Sequence, residues 1–81
     1  MKIRWTATAL RPLAGVPAGV GEDILQRVRT ASEYPSMYPE RRRGYYRGYR
    51  WFPVSSWLVF YQVVRDEIII RGILHGARRQ A

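Results

Sequence analysis

The sequence predicts a small α+β domain: an N-terminal strand, one main helix, then a three-strand antiparallel meander packed against that helix. Three observations point there. Val20, Ile24, Leu25, Val28 and Ala31 recur at helical spacing. Two apolar, strand-length runs, Trp57–Val64 and Ile68–His75, are separated only by Arg65-Asp66-Glu67. Strands that follow a helix with no further helical pattern belong to a segregated arrangement, in which the helix covers one sheet face.

Each element has its own signal. Residues 2–6 alternate, with Ile3 and Trp5 on one face, as a half-buried strand does. Residues 7–16 contain Pro12, Gly15 and several alanines, which predicts one helical turn followed by a loop. Pro17 suits the first position of a helix. Gly19 and Gly21 weaken the first turn, so the firm helix spans about 22–33, with Glu22 and Asp23 near its start. Pro35 ends it, because the residue before a proline avoids the helical region. Residues 35–44 form an irregular connection. Tyr45–Val54 reads as the second strand, with Pro53 near its end or at a sheet edge. Ser55-Ser56 is a turn. Trp57–Val64 is apolar on both faces and therefore central. Ile68–His75 is the last strand.

Composition limits what such a domain can be. Residues 1–81 make one domain, with a core limited by size: roughly 60–65% of the unfolded surface is buried at this length. Hydrophobic residues make up 47%, which argues for a packed fold rather than a disordered tail. Cysteine is absent, so neither disulfides nor thiolate metal sites support the core, as suits a reducing compartment. The longest apolar run is strand-sized, far below the ~20 residues of a membrane span. The start, Met1-Lys2-Ile3-Arg4-Trp5, lacks a signal-peptide core. A cytoplasmic protein with no membrane contact is expected.

The formal charge is +8, and all but one of the 14 basic residues are arginine. That balance favours anionic partners, and the planar guanidinium suits phosphates and carboxylates in particular. The cations concentrate in Arg41-Arg42-Arg43-Gly44-Tyr45-Tyr46-Arg47-Gly48-Tyr49-Arg50-Trp51-Phe52. Arginine with tyrosine grips nucleic acid, and it also anchors protein interfaces. A solvated loop and strand cross-pairs are the plainer readings of the same residues.

No glycine motif cradles phosphate; Gly44, Gly48 and Gly72 fall within the predicted strands, where glycine marks a bulge or a close approach. No metal-ligand spacing and no nucleophilic triad is present, so no metal or cofactor is expected. Metal-free acid–base chemistry on RNA needs a base, an acid and cations for the pentavalent phosphate. His75, a tyrosine, and Arg47, Arg50 or Arg71 are the candidates. A hydrogen-bonded structural histidine is the plainer reading of His75.

The stretches Arg47–Val54, Trp57–Tyr61 and Ile70-Arg71-Gly72-Ile73-Leu74-His75-Gly76-Ala77-Arg78 resemble the ParE branch of the RelE/ParE toxin superfamily. The Leu-His-Gly-Ala-Arg ending is more ParE-like than RelE-like. Ile24-Leu25, Val28, Tyr34-Pro35 and Met37 resemble the second helix of such toxins and the turn that follows it. Two departures stand out: the first helix of the usual helical hairpin is shortened or missing between Thr6 and Pro17, and Arg79 stands where an acidic residue is usual.

The resemblance implies the toxin of a type II toxin–antitoxin pair, neutralised by a cognate antitoxin. ParE-like toxins bind DNA gyrase and are not themselves enzymes. RelE-like relatives cut mRNA on the ribosome, using middle-strand lysines and a late tyrosine or histidine. Here Lys2 is the only lysine, and no tyrosine follows Tyr61. The expected target contacts are Arg47, Arg50, Arg71, His75, Arg78 and Arg79. The expected antitoxin contacts are Ile3, Trp5, Ile24 and Val28. The alternatives are a ribosome-dependent endoribonuclease using His75, Arg50 and Arg71, or an inactive toxin remnant that binds nucleic acid.

Overall fold

A computed structural model describes residues 1–76. Six elements follow in order: β1 (Lys2–Trp5), α1 (Ala7–Leu13), α2 (Ala18–Glu33), β2 (Arg50–Val54), β3 (Trp57–Val64) and β4 (Glu67–His75). The sheet order is β1-β4-β3-β2. The predicted α+β meander is present: β2, β3 and β4 pair antiparallel in sequence order. The pairing of β1 was not legible in the sequence. It lies parallel to β4, with Ile3 opposite Ile68 and Trp5 opposite Ile70.

Both helices cover one face of the sheet. Ile24, Val28 and Ala31 form the buried stripe of α2 and meet Phe52, Val54, Val59, Tyr61, Ile68, Ile70 and Ile73. The register places these strand residues on one side, with Arg50, Trp57 and His75. Trp51, Pro53, Leu58, Phe60, Gln62, Ile69, Gly72 and Leu74 face the other way. Leu58, Phe60 and Ile69 are also buried, so β3 and β4 are apolar on both sides, as central strands are. Pro53 sits in the edge strand β2, where its missing N–H costs no ladder bond.

Three expectations are corrected. Residues 7–13 form a two-turn helix rather than a single turn. Thr6 caps it: its hydroxyl accepts from the Ala9 N–H at 3.3 Å and donates to the Ile70 carbonyl at 2.8 Å. Helix-favouring alanines carry α1 as far as Pro12, which falls in the last turn. The first helix, expected to be shortened or missing, is thus present with 7 residues. α2 starts at Ala18 rather than near residue 22, because packing of its apolar face outweighs the propensity cost of Gly19 and Gly21. Glu22 and Asp23 then lie beyond the first turn, where the helix dipole has little effect.

The largest correction concerns residues 45–49, which are not a strand. Gly44, Tyr46 and Gly48 have φ of 75°, 63° and 91°, which curls the chain into a loop before β2 begins at Arg50. The Arg41 N–H donates to the Tyr49 carbonyl at 2.7 Å, and the Gly48 N–H to the Arg41 carbonyl at 2.8 Å, closing its neck. The loop folds back over the sheet face opposite the helices. There the Tyr46 ring stacks on Phe60, with centroids 4.5 Å apart. Of the three glycines expected within strands, only Gly72 is in one, and it has both predicted features. A register shift lies beside it at Phe60/Tyr61, and the Tyr46 ring occupies the space a Cβ would need.

Replacing Gly72 with alanine is expected to push Tyr46 and its loop off the sheet. The expected loss is about 1–3 kcal/mol in denaturant unfolding, the usual cost of overpacking, with faster trypsin cleavage after Arg42, Arg43 or Arg47. Unchanged cleavage would show that Tyr46 does not hold the loop down.

Candidate functional site

The residues proposed for function fall into three separate places. Arg71 lies at the register shift of β4, beside Gly72. Its Nε donates to Gln62 Oε1 at 3.0 Å, which holds the guanidinium on the loop-covered face. Tyr46 and Phe60 neighbour it there. The Arg41 guanidinium carbon lies 5.2 Å from the Phe60 ring centroid and 6.0 Å from that of Trp51. This group of two arginines, two tyrosines (Tyr46 and Tyr49, edge to face at 5.6 Å), Phe60 and Trp51 is a built aromatic–cation surface.

Arg50 sits on the other face, directly opposite Tyr61. Its Nη1 donates to the Tyr38 carbonyl at 2.6 Å, and its Nη2 is 3.8 Å from Glu40 Oε2. Tyr38 in turn packs on Phe52 at 4.7 Å and against Tyr61 at 6.4 Å. The buried Tyr61 hydroxyl donates to the Pro35 carbonyl at 2.9 Å. Arg50 is thus bound up in fastening residues 35–40 to the sheet.

His75 is on the helix side at the far end of β4, edge to face on Trp57 with centroids 4.9 Å apart. Pro12, Trp57, Ile73, Leu74 and His75 line a cleft of about 450 Å³ there. Trp57 and Tyr61 are separated by four residues of β3, roughly 13 Å of strand rise. His75 pairs with Trp57 and Arg50 with Tyr61, so the histidine and the arginine stand about that far apart along the sheet. The expected group of His75, Arg50 and Arg71 is therefore not assembled: two members share a face at different levels, and Arg71 is on the other face. Arg47 is exposed on the loop, and Arg78 and Arg79 lie outside the described residues.

The four residues expected to meet an antitoxin also divide. Ile3 is exposed and Trp5 partly exposed on the edge strand β1. Ile24 and Val28 are 0% and 1% exposed. They cannot touch a partner while the core is closed, because they belong to the stripe that packs on the sheet. Exposed apolar side chains on the helices are instead Leu10 and Leu25, and Tyr34 and Met37 follow α2. Leu25 reads as part of the apolar spacing with Ile24 and Val28, but it is 37% exposed. Tyr46 and Arg41 were not legible, because the strand reading of 45–49 hid the fold-back. Among the described residues, no three His, Asp or Glu side chains cluster as metal ligands.

Burial raises the pKa of both Tyr46 and Tyr61 above the ordinary 10.0. Tyr49 adds to the rise at Tyr46, and Arg71 opposes it; Arg50 opposes the rise at Tyr61. Below pH 10 both the folded and the unfolded chains keep these protons, and the stabilisation is complete. Above pH 10 the unfolded chain ionises first, so stability falls as the pH rises through the folded values. Urea midpoints should hold steady up to about pH 10 and then drop. Tyr61→Phe should flatten that drop and cost about 1 kcal/mol at neutral pH, from the lost bond to Pro35. An alkaline drop identical to that of the unmodified chain would remove Tyr61 as a cause.

The sequence matches the family described as the ParE toxin of the type II toxin–antitoxin system, parDE, over residues 3–80. Among solved structures, the toxin–antitoxin complex RelBE2 from Mycobacterium tuberculosis is similar, with a TM-score of 0.76 and 18% identity. The match covers 91% of this chain and 95% of that one. A comparison with curated proteins gave no match. The structural likeness speaks for the fold, whereas the family match spans nearly the whole sequence, including the strands and loop described above. The chain therefore belongs to the ParE toxin family of type II toxin–antitoxin systems.

Proposed function

We propose that the protein is a toxin that acts by binding DNA gyrase, without being an enzyme, and that a cognate antitoxin neutralises it. The observation that carries the first part is the separation of Arg50, His75 and Arg71 over two faces and two levels of the sheet. A ribonuclease of the RelE kind needs its acid, base and cations around one phosphate. A protein that grips another protein needs only exposed anchors, and these can be spread. Arg47, exposed on the loop, and the partly exposed Arg71 and His75 are the proposed anchors among the described residues; Arg78 and Arg79 extend the same proposal along the chain.

The antitoxin part rests on the similarity to a toxin solved with its antitoxin and on the charge of +8, which suits an acidic partner and mainly speeds association. The outer side of β1, away from β4, is a sheet edge to which an extended segment can add. Ile3 and Trp5 are the proposed contacts on that strand.

The test is a gyrase supercoiling assay with purified toxin. Inhibition with accumulating cleavage complexes, relieved by the antitoxin, is expected. Arg71→Ala and His75→Ala should each raise the inhibitory concentration about 5- to 30-fold, the loss of an ordinary interface anchor. Untouched supercoiling together with mRNA cut at the ribosomal A site would sink the gyrase reading in favour of the endoribonuclease.

A further inference from the structure

We propose that the tip of the 41–49 loop is a binding site for unpaired nucleic acid, with Arg42, Arg43 and Arg47 holding phosphates and Tyr45 stacking on a base. This goes beyond gyrase binding and does not depend on it. Three considerations carry it. The first is chemical. Arg42, Arg43 and Arg47 are exposed, and Tyr45 is 58% exposed between them. Residues 41–50 include no acid, and the preceding Glu40 faces Arg50 rather than the tip. The tip is thus a concentration of positive charge with no counter-charge of its own and one free aromatic face.

The second is conformational. Tyr46 holds a left-handed φ of 63°, which costs a non-glycine residue on the order of 1 kcal/mol or more. That cost is met by stacking on Phe60 and by the fit over Gly72. Together with the closed neck between Arg41 and Gly48-Tyr49, this fixes the loop before any ligand arrives. The same turn that partly buries Tyr46 leaves its neighbour Tyr45 outside. The tip therefore loses less conformational freedom on binding than an unstructured basic segment would.

The third is the composition of the tip as a choice between partners. Insertion into a lipid surface calls for apolar anchors such as Trp, Phe or Leu, and the tip offers only Tyr45. An acidic peptide would use the cations but gives a flat ring no specific partner. Unpaired nucleotides use both: phosphates for the guanidinium forks and an open base face for the ring. A duplex hides its base faces, so it would use the arginines alone.

Fluorescence anisotropy of the full chain tests this without gyrase present, so its outcome is separate from that of the supercoiling assay. The probes are labelled oligo-dT and oligo-U of about 16 nucleotides, the upper site size of a small binding fold, a matched duplex, phosphatidylglycerol vesicles and poly-glutamate. Binding to at least one of the two single-stranded probes is expected, and comparing them tells DNA from RNA. The triple variant Arg42→Gln, Arg43→Gln, Arg47→Gln should bind at least about tenfold more weakly, with the log–log salt slope smaller by about 2. Tyr45→Ala should lose about tenfold with the slope unchanged. Circular dichroism of both variants should match the unmodified chain, since none of the four side chains is buried. The proposal is overturned if the triple variant binds as well as the parent. It is equally overturned if the duplex is preferred and Tyr45→Ala has no effect, or if only vesicles or poly-glutamate are bound.

Discussion

A four-stranded sheet whose two middle strands are apolar on both sides has to be covered twice. Everything else in this small protein follows from that constraint. β3 and β4 supply Val59, Tyr61, Ile68, Ile70 and Ile73 to one face and Leu58, Phe60 and Ile69 to the other. The two helices seal the first face. Among the described residues no third helix covers the second, and a loop takes part of that role. Fully exposing a side chain such as Phe60 would forgo about 1.5–3 kcal/mol. Tyr46 prevents this by lying flat on it. The close approach is open only because residue 72 has no side chain. The aromatic-basic run is therefore part of the fold before it is part of any function.

That division of labour sorts the arginines. Arg50 fastens the 35–40 connection through the Tyr38 carbonyl, and Arg41 lies over Phe60 and Trp51 while its Nε reaches back to the Arg43 carbonyl. These two are tied to their own chain. Among the described residues, the side chains of Arg42, Arg43 and Arg47 make no such bond, and their charge stands in solvent. A total of +8 on a domain this small repels itself, and the tip, with no acid among residues 41–50, adds to that repulsion. A partner that brings negative charge there relieves it.

The legible part of the fold was the part written in periodicity. The stripe of Ile24, Val28 and Ala31, the two-sided apolarity of β3, and the edge position of Pro53 all come from spacing or from backbone chemistry, which act locally. What failed was tied to distant contacts. Tyr45, Arg47 and Tyr49 alternate as a strand would. Nothing local says that Tyr46 takes a positive φ, because the reason lies at Phe60 and Gly72, well along the chain. The parallel partner of β1 is set by Ile68 and Ile70, again remote. The candidate site suffered most. Residue types were readable, but face and level depend on register, and the shift at Phe60/Tyr61 leaves Arg71 as an extra residue. A period of two counted straight along β4 would have put Arg71 on the same face as Ile73 and His75, whereas the bond to Gln62 places it on the opposite one.

The same register shift explains how one strand can serve both faces. Beyond it, Ile73 and His75 point toward the helices; before it, Ile68 and Ile70 do so too. An unbroken alternation from Ile68 would turn Gly72 toward the helices and Ile73 outward, leaving a gap in the core at one place and a bulky side chain beneath Tyr46 at the other. The extra residue restores the inward phase and sets glycine where the loop must come close. Bulges of this kind re-aim side chains at the expense of one ladder pair. Here one bulge keeps the core filled, makes room for Tyr46, and puts Arg71 beside the ring that holds the loop down. The loop and the last strand are thus coupled through a single contact region. Any partner that moves Tyr46 will also change the surroundings of Arg71, whose charge already acts on the Tyr46 phenol.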